Sequence, residues 1–261
     1  MAVNGMGRGT TLALDILELL ARSDRPMAHG EVARVLGAPK SSLTDLFATL
    51  LERGFLEFEP VSRRYSPGPA LVPLARSYLN GSDIVSSTVP ALEELVRCTG
   101  ETALTAIRSG DQLLVVAARQ GSNPLSLTLR VGDCAPLHGT ASGKVFLACM
   151  TAEERDALLK RAPLTPVTDY TICDRAVLER ELVGIARGEV AYSRQEYIPD
   201  LIVLARPILN PNGRAVAALS VAIPAFRHTE ARDQDAREIL INAANTVTRS
   251  LCGSVKIPQP T

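Results

Sequence analysis

The 261-residue chain has no tryptophan, three histidines, and aromatic residues at only 4%. Its five cysteines (Cys98, Cys134, Cys149, Cys173, Cys252) are scattered and odd in number, with no Cys-x-x-Cys pair. That spacing supplies neither a disulfide framework nor a zinc cluster, so a reduced, cytoplasmic, metal-free chain without a cofactor is expected. Long apolar runs are missing too. The longest, 113–118 and 145–150, hold six residues each, where a membrane-spanning helix needs about 20. The first ten residues lack the apolar stretch of a secretory signal. With 28 Lys/Arg against 28 Asp/Glu the formal net charge is zero, so no bulk attraction to membranes or polyanions is implied.

What is present is concentrated in residues 28–68. A first helix is expected over 11–22, where Leu12, Ile16, Leu19 and Leu20 make one apolar stripe. A second starts near Gly30, turns Val32, Ala33 and Leu36 to the same core and ends at Gly37, which can take φ > 0. Pro39 fits the first turn of a third helix. In that helix Leu43, Leu46, Phe47, Leu50 and Leu51 repeat at helical spacing, and Lys40, Ser41, Ser42, Thr44, Asp45 and Thr49 fall opposite. Short polar groups near a helix N-terminus can approach base edges and phosphates. Beyond Gly54, Leu56 and Phe58 alternate with Glu57 and Glu59, 60–62 form a turn, and Arg63 and Arg64 follow it, where two cations can meet phosphates.

The order is that of a winged helix-turn-helix, which places one helix in the DNA major groove. The same pattern also suits any small three-helix subdomain with a hairpin. Charge does not separate the two: residues 1–80 hold nine Lys/Arg and eight Asp/Glu, a net of +1. Weak monomer binding, strengthened by dimerisation over two half-sites, is the expected consequence.

The chain divides at Pro67-Gly68-Pro69. The expected domains are a winged helix-turn-helix over 1–68, a linker helix over 69–82, an effector-binding domain over 83–255 and a tail over 256–261. Pro73 predicts a kink or a late start in the linker. Ser82-Asp83 reads as the cap of a helix ending at Gly100. Strands are expected at 102–107, 112–119, 125–131, 190–192, 202–209 and 215–223. Helices are expected after 140, after a capping box at Thr151-x-x-Glu154, after Asp174, and over 233–251. The class is α+β, an antiparallel sheet with helices. Such a sheet leaves a cavity only if some inward side chains are small.

Gly139-Thr-Ala-Ser-Gly143-Lys144 looks like a phosphate loop. It has three residues between the glycines, and Val145 replaces the magnesium-binding hydroxyl, so nucleotide hydrolysis is rejected. A small-residue loop at a helix N-terminus still offers backbone N–H groups to an anion such as a carboxylate.

Taken together the chain resembles the IclR family of bacterial transcription regulators. The resemblance spans about residues 10–253. It rests on Pro39-Lys40-Ser41-Ser42, Arg64-Tyr65-Ser66-Pro67-Gly68, Leu92-Glu93-Glu94-Leu95 with Thr99-Gly100-Glu101-Thr102-Ala103, and Gly132-Asp133 before Leu137-His138-Gly139-Thr140-Ala141-Ser142-Gly143-Lys144. Arg187-Gly188, Gln195-Glu196-Tyr197-Ile198-Pro199 and Ala217-Ala218-Leu219-Ser220-Val221 complete it. It implies a GAF/profilin-like effector domain that binds a small organic molecule, often an acid or an aromatic catabolite. It also implies a dimer through the N-terminal half, often a dimer of dimers, with operator DNA as partner.

Carried over by position, the resemblance places Ala141 and Ser142 at the anion-facing loop, flanked by Thr140. Leu127, Leu129 and Leu201 become apolar walls, and Ser193, Val203, Ser220 and Ala222 the formerly polar positions. Val203 and Ala222 are apolar here, which favours a larger, partly apolar effector such as an aromatic acid or a related compound of a catabolic pathway. At the DNA end Asp45 stands where the family usually has arginine. It could accept from cytosine N4, or cap or pair with a nearby cation. Lys40, Arg63 and Arg64 remain the expected phosphate contacts. Two other functions stay open: a constitutive oligomeric DNA-binding protein without an effector, and an enzyme using Cys134 or Ser142 with His138, which would need an orienting third group.

Overall fold

A computed structural model describes residues 7–122 and 130–253, with two compact units, 1–81 and 82–261. In chain order the N-terminal unit contains α1 (Arg8–Arg22), α2 (His29–Val35), α3 (Lys40–Glu52), β1 (Leu56–Glu59), β2 (Arg64–Pro67) and α4 (Leu71–Asn80). α1 begins three residues earlier than its apolar stripe predicts, because the Thr10 and Thr11 amides both bond to the Gly7 carbonyl. Its Ile16 and Leu20 pack with Val32, Ala33, Leu43, Phe47, Leu50 and Leu56 in one small core. Gly37 and Gly54 take positive φ after α2 and α3, which only glycine does without cost. β1 and β2 form an antiparallel hairpin, and Met27 bridges to Tyr65 on the hairpin's other side. The Tyr65 ring stands edge-on to Phe47 at 4.5 Å and lies 4.8 Å from Phe58. α4 starts at Leu71, so Pro73 lies in its first turn, where its missing N–H costs nothing. The helix thus starts at the first residue of its apolar stretch, without the late start expected from Pro73.

The C-terminal unit contains α5 (Asp83–Thr99), β3 (Thr102–Ser109), β4 (Gln112–Arg119), β5 (Cys134–Pro136), α6 (Ala141–Ala148), α7 (Ala152–Arg161), α8 (Arg175–Ala186), β6 (Ala191–Arg194), β7 (Leu201–Leu209), β8 (Ala215–Pro224) and α9 (Glu230–Gly253). The caps read from the sequence are in place: Ser82, Thr151 and Asp174 side chains accept amides of the first turns, and Gly100 ends α5 at φ 70°. Among the described residues these six strands form one antiparallel sheet in the order β5-β4-β3-β8-β7-β6. α5 and α9 cover one face, where Leu92, Leu95, Leu204, Leu219, Val221, Leu240 and Val247 pack together. α6, α7 and α8 cover the other, burying Val145, Leu147, Leu158, Leu178 and Leu182 against Ala106, Ala191, Ala205 and Ala218.

Three differences from the expected strands stand out. β5 was not expected, because three residues are too few to show a period. The expected strand at 125–131 lies largely outside the described residues, and its last residue, Val131, sits in a turn. The strand expected at 190–192 runs instead from Ala191 to Arg194, its extent set by pairing with Leu201–Leu209.

Candidate functional site

In the N-terminal unit α3 turns Leu43, Phe47 and Leu50 inward. Lys40, Ser41, Ser42, Thr44 and Asp45 are all exposed on its other side. The Thr44 hydroxyl donates back to the Lys40 carbonyl at 3.0 Å, and Thr49 to that of Asp45 at 2.9 Å. These two hydroxyls therefore remain only as acceptors toward a ligand. No hydrogen bond or ion pair among the described residues engages the side chains of Ser41, Ser42 or Asp45, so the capping or pairing considered for Asp45 is not observed.

The two wing arginines differ. Arg63 is exposed at the hairpin turn with φ 54°, and no ion pair among the described residues holds it. The Nη1 of Arg64 donates to Glu31 Oε2 at 3.0 Å and to the Pro26 carbonyl at 2.9 Å. Glu31 also receives Arg25 at 3.1 Å and the Ala28 amide at 2.8 Å. The Arg25 hydrogen bond, followed by that amide, holds the Glu31 carboxyl down at about 2. Arg64 thus ties the wing to α2 through Nη1, whereas no such contact holds Arg63 among the described residues. The Arg63→Ala variant is expected to weaken binding to specific and random DNA alike, flattening the dependence of log K on log salt by about 0.9, one phosphate contact. An unchanged slope would take the wing out of the interface.

In the C-terminal unit the loop read as phosphate-like forms the start of α6. Thr140 is its N-cap: its hydroxyl accepts from the Gly143 amide at 3.1 Å and donates to the Pro136 carbonyl at 3.0 Å. Thr140 is thereby occupied. The amides of Ala141 and Ser142 find no acceptor among the described residues, as the first turn of a helix dictates. A Cβ on Gly143 would lie 2.1 Å from the Leu137 carbonyl oxygen, so only glycine lets the helix start this close to the preceding strand.

Lys144 turns away from this end. Fully buried, its Nζ donates to Glu181 Oε2 at 2.7 Å, Glu196 Oε1 at 2.7 Å and the Tyr192 carbonyl at 3.0 Å. All three ammonium protons are used, and α6, α8 and β6 are pinned together. Burial pushes the Glu196 carboxyl above its ordinary range against the pull of Lys144. The lysine that made the loop look like a phosphate site is a core strut.

Facing α6 is a row of mostly short side chains on the sheet. Ser193, Val203 and Ala222 are cross-strand neighbours, as are Ala191, Ala205, Ser220 and Leu104. Ser193 Oγ donates to the Gly139 carbonyl at 2.8 Å, holding the α6 loop, whereas Ser220 Oγ has only a long 3.5 Å contact with the Leu104 carbonyl. Leu201 is buried on the same face, two and four residues before Val203 and Ala205. Leu127 and Leu129 lie outside the described residues. Ser193, Leu201, Val203, Ser220 and Ala222 thus share the sheet face that α6 covers, and Ser142 lies in the first turn of α6.

Among the described residues no hydrogen bond joins Cys134 or Ser142 to His138. His138 is buried with Nε2 2.9 Å from the Thr165 carbonyl, and the exposed Cys134 thiol contacts the Gly132 carbonyl. Sequence reasoning also missed the buried Glu101–Arg227 pair, 2.8 Å across, and Asp233, which accepts from Tyr192 at 2.8 Å and pairs with His228 at 2.8 Å. Burial, then Asp233, pushes the Tyr192 hydroxyl up to about 12. No His/Cys/Asp/Glu group that could hold a metal occurs among the described residues, and no helix among them is long and apolar enough to cross a membrane.

The family model for the IclR helix-turn-helix domain matches residues 12–60, and that for the bacterial transcriptional regulator IclR C-terminal domain matches 76–249. The chain belongs to the IclR family. The HTH-type transcriptional regulator BhcR of Paracoccus denitrificans is 29% identical over 241 residues, covering 92% of this chain and 86% of that protein. The acetate operon repressor of Salmonella typhimurium is 26% identical over 254 residues, covering 97% and 93%. An IclR transcriptional regulator from Alicyclobacillus acidocaldarius has the same fold, with a TM-score of 0.84 at 26% identity over 93% of this chain and 98% of that one. An IclR homologue from Microbacterium hydrocarbonoxydans, solved with 4-hydroxybenzoate, shares the fold at a TM-score of 0.77 and 23% identity, over 94% and 100%. This IclR-family chain is therefore a DNA-binding transcription regulator with a C-terminal effector domain, and not an enzyme.

Proposed function

We propose that this regulator is a repressor released or engaged by a partly apolar organic acid, an aromatic acid or a derivative, of a catabolic pathway whose genes it controls. The observation that supports this reading is that α6, whose first turn carries free amides, covers the sheet face bearing the short side chains. On one side are the unpartnered Ala141 and Ser142 amides with the Ser142 hydroxyl, at the positive end of a helix, suited to a carboxylate. On the other are the short side chains of Ser193, Ser220 and Ala222 beside Val203, a partly apolar surface suited to a ring. A fold relative solved with 4-hydroxybenzoate agrees with this chemistry. Lys40, Ser41, Ser42, Thr44 and Asp45 on α3, with Arg63 on the wing, would meet operator DNA. Exposed Val72, Leu74 and Tyr78 on α4 support self-association, a dimer or dimer of dimers that spans two half-sites in the cytoplasm.

A thermal-shift screen of aliphatic and aromatic carboxylic acids with their amides, hydrazides and esters tests this reading. An acid at a hundredfold excess over its Kd should stabilise the C-terminal unit by about 2.7 kcal/mol. Ser142→Ala and Ser220→Ala should each reduce that gain. A set of acids that leaves the melting curve unmoved would favour a constitutive DNA-binding protein.

A further inference from the structure

We infer that Asp45 reads a base, accepting a hydrogen bond from a cytosine amino group in the operator's major groove. The inference rests on the reading that α3 is the helix entering the groove. Within α3, Leu43, Phe47 and Leu50 define the buried side. At 3.6 residues per turn, Asp45 lies about 200° around the helix from Leu43, so it occupies the outermost line. Ser41, Ala48 and Glu52 share that line, and all are exposed. The cations Lys40 and Arg53 fall on the flanks, where phosphates border a groove. The centre of the face meets base edges instead.

A carboxylate at that centre must find a donor there, or repulsion from phosphates and loss of hydration weaken binding. Among the described residues it has none, neither hydrogen bond nor ion pair, although Arg25, Arg64 and Glu31 form a charged network in the same unit. An ionised carboxylate only accepts. The major-groove edges offer donors from cytosine N4 and adenine N6. Adenine presents its donor beside the N7 acceptor, which repels a second carboxylate oxygen. Cytosine N4 is the donor that acidic side chains take up. Ser41, one turn earlier on the same line, has a free hydroxyl for the neighbouring base.

The test is in vitro selection of binding sites from random duplex DNA with the full chain, in parallel for wild type, Asp45→Asn and Asp45→Ala. The wild type should enrich a fixed cytosine, on either strand, at one position of each half-site, preferred by about 5- to 150-fold. Asp45→Asn should move that preference to adenine, which a carboxamide can meet with both a donor and an acceptor. Asp45→Ala should erase the preference there and leave the other positions intact. Three identical selected motifs, or a wild-type motif without such a cytosine, would overturn the assignment. A Lys40→Ala arm separates the causes. If it weakens binding to all sequences while the three motifs coincide, only the role of Asp45 fails. If it also binds as wild type does, α3 is not the groove helix and the inference falls with that reading.

Discussion

Replacing Lys144 with alanine is expected to cost about 3–5 kcal/mol of stability in the C-terminal unit at neutral pH. The lysine is fully buried and surrounded by three acceptors, two of them carboxylates. Glu181 is half exposed and can turn to water, so its share of the loss is small. Glu196 is 5% exposed by side chain and cannot. Without the ammonium group it would be a buried charge without its cation, beside an unsatisfied Tyr192 carbonyl. That asymmetry, more than the strength of the pair itself, sets the size of the effect. Lys144→Met should recover the packing part and not the electrostatic part. A double variant with Glu196 also made apolar should recover more than either single change predicts.

The pH dependence has a definite sign. Burial already raises the Glu196 carboxyl above its ordinary value in the folded protein, and loss of Lys144 removes the opposing pull. A carboxyl whose folded value exceeds its unfolded one binds protons more readily when folded, so stability rises as pH falls. The Lys144→Ala deficit should therefore be larger at pH 8 than at pH 5, as read from urea midpoints of the two proteins. A loss below about 1 kcal/mol, or one equal at both pH values, would show that the network is not the strut described here. Because Lys144 follows Ser142 by two residues on α6, the same variant should also lose affinity for any ligand bound at that helix end.

This strut also marks the limit of what local sequence encodes. Helices of the N-terminal unit were legible because their cause is local: apolar residues at a helical period, with Gly37, Pro39 and Gly54 as punctuation. The caps at Ser82, Thr151 and Asp174 were legible for the same reason. Lys144 was visible only as part of a loop resembling a phosphate cradle. Its partners lie 37 and 52 residues away, and nothing local links them. Arg64 shows the same limit. Next to Arg63 in sequence it reads as a second free cation, yet strand pairing turns it toward Glu31, 33 residues earlier. Ser193, Val203 and Ala222 could be placed by resemblance. That they lie side by side follows from a sheet order in which β6, β7 and β8 are neighbours, which no local period encodes.

Phe47→Ala is expected to abolish operator binding by unfolding the unit that carries it. Phe47 is 2% exposed at the centre of a core built from few residues. Its ring meets Tyr65 of the wing edge-on at 4.5 Å and His29 of α2 at 4.9 Å, while its backbone belongs to α3. One side chain thus sets the spacing of all three elements that would face DNA. Truncating a buried phenylalanine costs about 3–5 kcal/mol, and a unit of this size has little more than that in reserve. The C-terminal unit has its own two cores, neither of which includes Phe47. Calorimetry of the variant should therefore show the transition of the N-terminal unit lowered or lost, with that of the C-terminal unit and its ligand-induced shift retained. Arg63→Ala makes the contrast: weaker DNA binding with both transitions where they were, since this exposed side chain has no hydrogen bond or ion pair among the described residues. If Phe47→Ala kept full operator affinity, or lowered both transitions together, the division of labour between the two units would be wrong.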